Sequence, residues 1–274
     1  MCIVSAEAKL SKTRILSMAL DNGRHILSYS NKVQNLSGQR NSMILAIPGE
    51  VKEEWFYDTT EYNKFMEDIE DRAHLSFESS KGINYRGALG MKSKGFSRFG
   101  VGMYDIITTK DLNDVTREID ITMELLDFFH NHYKGWTFVV CMFSGEKEMD
   151  AQPIMFEYEP MYPQWLYFPT MDSHDGQAPD FIHPVDMDHS LMYEYPGLAD
   201  RVVHNMKFDQ KVPEILKRRN YVSTKWNTED TGKQINGDMY LHIPSLERYA
   251  KDREFCYEGF TRSLTHPGAA KVIA

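Results

Sequence analysis

The segment that most constrains the fold is the continuous, largely apolar run from Trp136 to Phe143, with the sequence WTFVVCMF. A strand covered on one face alternates apolar and polar residues, whereas a continuous run of this kind is typical of a strand buried on both faces. The run therefore predicts a central strand in a sheet that is covered on both sides. It begins directly after Gly135, a residue type that is common just past the end of a helix.

The residues before this run predict a long amphipathic helix over about 110–134. Acidic residues such as Asp120 and Glu124 fall on one side of that helix. The other side carries apolar residues at intervals of three and four, as a buried helix face requires. These are Leu112, Val115, Ile119, Met123, Leu126, Phe129 and Tyr133. A continuous helix of this length would extend over about 38 Å.

Strand patterns dominate the first fifty residues. Arg14–Leu20 and His25–Val33 flank Asn22-Gly23, a dipeptide typical of β-hairpin turns. A further strand is predicted over Asn41–Ile47, where Pro48-Gly49 ends it.

Strands are also predicted after the apolar run, over Ile154–Glu159 and Trp165–Phe168, and another around Met239–Ile243. Residues 58–73 instead show helical spacing of apolar residues. We therefore expect an α+β fold, in which an antiparallel, strand-rich sheet packs against the long helix. No internal repeat or linker is evident, so residues 1–274 are expected to form a single globular domain, with a C-terminal subdomain over 200–274 as the alternative.

The formal net charge of −9 argues against non-specific binding to nucleic acid or to anionic membranes. The exception is a basic loop at 81–98, where aromatic residues lie beside lysines and arginines as they do on single-stranded nucleic-acid surfaces. A loop that meets an acidic protein surface is the simpler interpretation. Nucleic acid is therefore not expected as a partner apart from this loop.

Cysteine usage indicates a reducing compartment. Cys2, Cys141 and Cys256 are few and odd in number, which is unlike a disulfide framework. The first residues lack the apolar core of a signal peptide, and no run of about 18 apolar residues predicts a membrane span. We expect a cytoplasmic protein without a membrane partner.

Residues 168–193 predict a polar site, because they contain three of the ten histidines and five aspartates. Asp172 with His174, and Asp186 with Asp188, are spaced so that each pair faces the same way on an extended chain. Imidazole and carboxylate groups together suit divalent Zn, Mn, Fe or Ni, so a metal ion of undetermined identity is the predicted cofactor. The predicted ligands are Asp172, His174, Asp186, Asp188 and His189.

His174 and Asp175 are the corresponding catalytic candidates for a metal-dependent or acid/base hydrolase. The alternative is that the aspartates and histidines of this proline-rich stretch cap their own turns. Cys2 predicts a different catalytic site. Removal of Met1 would leave a thiol beside a free amine, the nucleophile and base of the N-terminal nucleophile amidohydrolases.

Short motifs resemble an uncharacterised group of microbial or viral cytosolic proteins. The motifs are Ser42-Met43-Ile44-Leu45-Ala46-Ile47-Pro48, Phe168-Pro169-Thr170, His174-Asp175-Gly176 and Asp188-His189. Members of that group begin Met-Cys and carry a Pro-Thr-x-x-x-His-Asp-Gly stretch, and the resemblance covers the first 195 residues. No activity is assigned to the group, so the resemblance implies no catalytic residue.

No recognised catalytic signature is present, neither a nucleophile elbow nor a phosphate-binding loop. The leading prediction is therefore an interaction or assembly component, in particular a viral structural one. Its methionine and aromatic residues would then face protein partners or further copies of the chain. The hydrolase at 172–189 and the amidohydrolase at Cys2 are the alternatives.

Overall fold

The computed structural model describes residues 3–73, 91–92, 95–180, 188–194, 222–227, 236–243 and 260–263. The first ten strands are β1 (Ile3–Val4), β2 (Ala8–Ala19), β3 (His25–Asn35), β4 (Asn41–Ile47), β5 (Gly49–Glu50), β6 (Phe56–Tyr57), β7 (Met91–Lys92), β8 (Phe96–Val101), β9 (Tyr104–Thr109) and β10 (Thr137–Phe143). The others are β11 (Met149–Asp150), β12 (Ile154–Pro160), β13 (Trp165–Phe168), β14 (Asp188–Glu194), β15 (Val222–Asn227), β16 (Asp238–His242) and β17 (Phe260–Ser263). The helices are α1 (Phe65–Ala73) and α2 (Met123–His132), with short 3-10 helices at Glu53–Trp55, Thr60–Tyr62 and Leu112–Val115.

The strands form three sheets. A six-stranded sheet has the order β1-β4-β10-β9-β8-β7, and a three-stranded sheet has the order β13-β16-β17. The eight-stranded sheet follows β15-β14-β2-β3-β12-β5, with β11 paired to β3 and β6 paired to β12. The described strands pair in antiparallel fashion, apart from β14, which runs parallel to β2. The expected strand-rich, antiparallel character of the fold is confirmed.

Local sequence accounts for much of this arrangement. The apolar run forms β10, which lies between β4 and β9 and is almost wholly buried. The hairpin of β2 and β3 turns at Gly23, whose φ of +83° a glycine adopts without strain. Leu20 N donates to Arg24 O at 2.8 Å and closes that turn. Both β4 and β13 begin and end at the predicted residues.

The predicted long helix over 110–134 is wrong. The chain instead forms the 3-10 helix Leu112–Val115 and, after an irregular stretch, the separate helix α2. Two capping side chains explain the break. Asp111 accepts a hydrogen bond from Asn113 N at 2.9 Å, and Thr122 Oγ1 accepts one from Leu125 N at 3.2 Å. Six of the seven residues of the predicted apolar stripe are nevertheless buried, namely Leu112, Val115, Ile119, Leu126, Phe129 and Tyr133. Met123 is the exception, because it starts α2 and is 70% exposed.

One contiguous hydrophobic cluster connects the sheets with α2. Met239, Tyr240 and Leu241 of β16 belong to it together with Phe168 of β13, so this part of the C-terminal region packs into the same core as the N-terminal strands. A smaller cluster lies under α1, the helix found within the predicted stretch 58–73, where Phe65, Met66 and Ile69 pack on β2. No helix in the described ranges is long and apolar enough to cross a membrane.

Candidate functional site

The predicted site begins where the chain leaves β13, and the turn before β16 holds it in place. Asp238 Oδ1 accepts hydrogen bonds from the backbone N–H groups of Thr170 and Met171, at 3.0 and 3.1 Å. The Asn236 side chain accepts from Asp172 N and donates to Asp172 O, both at 2.8 Å. The backbone of this segment is thus anchored by side chains that lie far away in the sequence.

The N-terminal segment anchors the other side of the same stretch. Val4 N donates to Ser173 O at 3.0 Å, and Ala8 N donates to His174 O at 2.9 Å. Ile3 forms a parallel bridge with Ser173. Ser173 therefore forms an isolated bridge to the N-terminal segment, and a bend begins at His174.

Asp172 and His174 lie together, as their spacing predicts. His174 Nε2 is 2.8 Å from Asp172 Oδ1, and the two side chains are 28% and 19% exposed. The contact is an ion pair only when the imidazole is protonated. The pair has the chemistry of a proton-transfer site or of two metal ligands.

Asp175, by contrast, caps its own turn. Its Oδ1 accepts from Ser173 Oγ and from Gln177 N, both at 3.0 Å, the pattern of an Asx turn. Gly176 completes the turn with a φ of +78°. The turn-capping alternative therefore describes Asp175, whereas Asp172 and His174 form a pair.

The remaining predicted ligands are not seen to join this pair. Asp186 lies outside the described residues, and His189 lies in β14 opposite Thr13 of β2. Ala8, which bonds the His174 carbonyl, precedes Thr13 by five residues in β2. At about 3.3 Å per residue, His174 and His189 are therefore about 16 Å apart along this strand. No group of three or more His, Cys, Asp or Glu side chains that could hold a metal ion occurs in the described part of the chain. The metal site stays a prediction, with the side chains of Asp188 and His189 outside the described set.

Two other predictions from the sequence also concern residues outside the described ranges. Cys2 is outside the described residues, so the amidohydrolase hypothesis stays a prediction. Most of the basic loop at 81–98 is also outside them. Arg98 of this loop lies in β8 and is paired with Asp105 and with Glu118, so its charge is neutralised within the protein.

Asp238 lies in a closed cluster of tyrosines. Tyr133 OH donates to Asp238 Oδ2 at 2.9 Å, and Tyr167 and Tyr240 are buried beside it. Burial raises the pKa of Asp238 to about 6, while hydrogen bonds from Met171 N–H and the tyrosine hydroxyls act in the opposite direction. Burial also raises the pKa values of the three tyrosines. The bonds from Thr170 N and Met171 N to Asp238 Oδ1 connect this cluster to the segment that carries Asp172.

A cleft that the sequence analysis did not predict lies between α1 and the eight-stranded sheet. Its volume is about 210 Å³. Its wall combines residues of β2, β3 and β11, the turn between β8 and β9, and the approach to α1. The wall includes Ser30, Asn31, Met66, Met103, Met149 and Gln152.

The Gln152 carboxamide forms hydrogen bonds with two different walls of this cleft. Its Oε1 accepts from Met103 N at 3.1 Å, and its Nε2 donates to Thr59 Oγ1 at 2.9 Å and to Thr60 Oγ1 at 3.4 Å. Gly102, beside Met103, has a φ of +56°, and a Cβ there would lie 1.9 Å from Gln152 Oε1. Glycine is therefore favoured at this turn, because of its conformation and because a Cβ would displace the Gln152 carboxamide.

Several polar groups of the wall have weak partners. The backbone N–H of Gln152 donates to Met103 Sδ at 3.1 Å, and Asn31 Nδ2 donates to Met43 Sδ at 3.9 Å. Thioether sulfur is a weak acceptor. Ser30 and Asn31 are only 6% and 5% exposed. Buried donors usually have stronger partners than a thioether sulfur, so the Gln152 N–H can take a better acceptor from a ligand.

Charged residues around the cleft are paired with one another. Arg14 Nε is 2.5 Å from Glu70 Oε2, and Arg14 Nη1 is 3.6 Å from Glu67 Oε1. Lys32 Nζ is 3.5 Å from Asp150 Oδ1. Because these charges are paired, the electrostatic field at the opening of the cleft is weak. A weak field favours an uncharged ligand.

No protein family and no curated protein matches the sequence. Among solved structures, the chain is similar to baculovirus P35, at 13% identity over 72% of this chain and 68% of that chain, with a TM-score of 0.45. A mutated baculovirus P35 after caspase cleavage matches at 12% identity over 85% of this chain and 91% of that one, with a TM-score of 0.43. A chain of the caspase-8/P35 complex matches at 13% identity over 68% of this chain and 65% of that one, with a TM-score of 0.39. Caspase cleavage and the caspase-8 complex are properties of P35, and no family membership follows from likenesses at this level.

Proposed function

We propose that this protein acts by binding another protein, and that the cleft around Gln152 takes a segment of that partner. The observation that carries the proposal is the wall of the cleft, where the backbone N–H of Gln152 donates to Met103 Sδ, a weak acceptor. Three methionines lie in the same wall. Methionine side chains adapt to differently shaped apolar groups and are common on binding surfaces.

The partner is either a different protein or a further copy of this chain. A structural role in a viral particle is the finer form of the proposal, and it is supported by the resemblance of the sequence motifs. A cytoplasmic location belongs to the same proposal, and the small, odd number of cysteines supports it.

A site-specific cross-linker tests the binding role. Benzoylphenylalanine is introduced at Met149, which lies on the cleft and is 39% exposed, or at Met161, which is 48% exposed and lies outside it. The cells that naturally make the protein are then irradiated, and the adducts are identified by mass spectrometry. We expect one defined protein, or the chain itself, to be captured from position 149 and not from position 161. Capture of the same proteins from both positions, or of no protein from either, would contradict the proposal.

A second candidate function is supported by the Asp172–His174 pair. The 2.8 Å contact between His174 Nε2 and Asp172 Oδ1 brings together the two kinds of group that a hydrolase with a divalent metal or acid/base chemistry uses. Elemental analysis of the purified protein is the test. A stoichiometric metal that is lost in His174→Ala and retained in His130→Ala would support this candidate. His130 is the matched control because it is also partly exposed and lies 3.1 Å from an aspartate, Asp111.

A further inference from the structure

We infer that Asp238 is a proton-controlled anchor, whose neutral carboxyl holds residues 170–172 against β16 and whose ionisation loosens that segment together with the Asp172–His174 pair. This anchor lies apart from the cleft around Gln152 and does not involve its proposed protein partner.

The bonds of this segment converge on the short turn before β16. Thr170 N and Met171 N donate to Asp238 Oδ1 at 3.0 and 3.1 Å. Two residues earlier in the same turn, the Asn236 side chain bonds both Asp172 N and Asp172 O at 2.8 Å. A change at Asp238 therefore acts on the place where residues 170–172 are attached, and the backbone that carries Asp172 is attached beside it.

The Asp238 carboxyl is buried without a positively charged partner. It is 3% exposed, and within the described ranges the groups that act on it are neutral ones. These are the N–H groups of Thr170 and Met171, the hydroxyls of Tyr133 from α2 and Tyr167 from β13, and Tyr240 of β16 itself. An ionised carboxylate that is removed from water without a counter-charge carries a large desolvation penalty. The neutral carboxyl is therefore favoured while the segment stays in place.

The geometry also provides a place for the proton. Oδ1 of Asp238 accepts both N–H groups of the segment, whereas Oδ2 faces Tyr133 OH at 2.9 Å. A tyrosine hydroxyl can accept a hydrogen bond as well as donate one. A proton on Oδ2 can therefore be donated to the Tyr133 oxygen, and the two N–H bonds at Oδ1 are kept.

Ionisation consequently opposes the anchored arrangement. Burial raises the pKa of Asp238 from 3.8 to about 6 while the segment is in place. When the segment lifts and water reaches the carboxyl, this pKa returns towards 3.8, so the loosened form binds the proton more weakly. The proton stabilises the anchored form fully below pH 3.8, and this stabilisation is lost as the pH rises through 6.

Amide hydrogen exchange of the whole protein, followed by NMR, tests this inference. Each rate is divided by the intrinsic rate at the same pH, so that the result reports the opening equilibrium. If opening hydrates Asp238 fully, the protection of Thr170 N and Met171 N should fall about 50-fold between pH 4 and pH 7. Val140 is fully buried in β10 between β4 and β9, and its amide should stay more protected than both because it requires opening of the core.

Two variants and a control separate the effect of the proton from that of the bonds. Asp238→Asn keeps an oxygen for the two N–H groups but cannot ionise, so the protection of Thr170 N and Met171 N should no longer depend on pH. Tyr133→Phe removes a donor to the ionised carboxylate, so the fall should level off at a higher pH. Asp111→Asn is the matched control and should leave the profile unchanged, since Asp111 also accepts a backbone N–H but is 52% exposed.

If Asp238→Asn does not fold, the carboxyl carbon signal of Asp238 in the wild type still decides, because it reports the ionisation of this group directly. We expect that signal to titrate with a midpoint near pH 6, where the fall in protection levels off. A carboxyl that is already ionised at pH 4 would overturn the inference. So would wild-type protection of Thr170 N and Met171 N that is constant with pH, or that equals the protection of Val140 N throughout.

Discussion

Gln152 and Met103 hold each other by two hydrogen bonds of opposite direction. Met103 N donates to Gln152 Oε1, and Gln152 N donates to Met103 Sδ, each at 3.1 Å. The first bond fixes the turn between β8 and β9 against the strand that leads into β12. The second leaves a backbone donor on a weak acceptor beside an open cleft.

The turn at Gly102 provides a test of that arrangement. Gly102→Ala should lower the free energy of unfolding by about 2–4 kcal/mol. About 1 kcal/mol of this comes from the left-handed conformation, and the rest from displacement of the Gln152 side chain. Gly38→Ala is the matched control, since Gly38 has a φ of +67° with no atom near its Cβ position. Urea unfolding of both variants measures the difference, and equal losses would show that the contact with Gln152 has no energetic weight.

Asp238 should make the protein less stable as the pH rises. Burial raises its pKa from 3.8 to about 6 in the folded state, so the folded protein binds this proton more tightly than the unfolded chain. The resulting stabilisation, about 3 kcal/mol, is complete below pH 3.8 and is lost as the pH rises through 6. Asp238→Asn keeps an oxygen for Thr170 N and Met171 N and should abolish this dependence. Parallel stability curves for variant and wild type between pH 4 and 7 would contradict it.

His25 should have the opposite effect over nearly the same range. Burial lowers its pKa from 6.5 to about 4, so its contribution is present above pH 6.5 and is lost as the pH falls through 4. The magnitude is again about 3 kcal/mol. The stability of the wild type should therefore change little with pH between 4 and 6.5 from these two groups. Urea midpoints of His25→Gln should fall with rising pH, and those of Asp238→Asn should rise. Slopes of the same sign would show that one of these groups is not buried as described.

The buried side of α2 can be tested with one residue from each face. Phe129 is fully buried, and Glu124 is exposed. Phe129→Asp should cost about 3–5 kcal/mol because it removes a large core side chain and introduces a buried charge. Glu124→Ala should change the stability by less than about 0.5 kcal/mol. Thermal unfolding of both variants measures this, and similar shifts of the two midpoints would mean that the faces are misassigned.

Local sequence determined the individual strands. The hairpin at Asn22-Gly23, the strand Asn41–Ile47 and the buried strand after Gly135 follow from turn chemistry and from the spacing of apolar residues within a few positions. The Asp172–His174 contact was predicted from the spacing of the two residues, although the segment bends at His174 and is not a regular strand. The long helix was mispredicted because the apolar stripe continues through 112–133, whereas Asp111 and Thr122 each start a separate short helix with a side-chain cap.

Only the tertiary structure decided which distant segments meet. The anchoring of Asp172 by Asn236, and of Thr170 by Asp238, depends on the pairing of β13 with β16. The cleft likewise exists because Gln152 meets the β8–β9 turn and the approach to α1. A pattern read along the chain reports which way a side chain points relative to its neighbours. It does not report strand order, because many pairings bury the same apolar residues equally well, and the choice among them is made by packing between segments far apart in sequence.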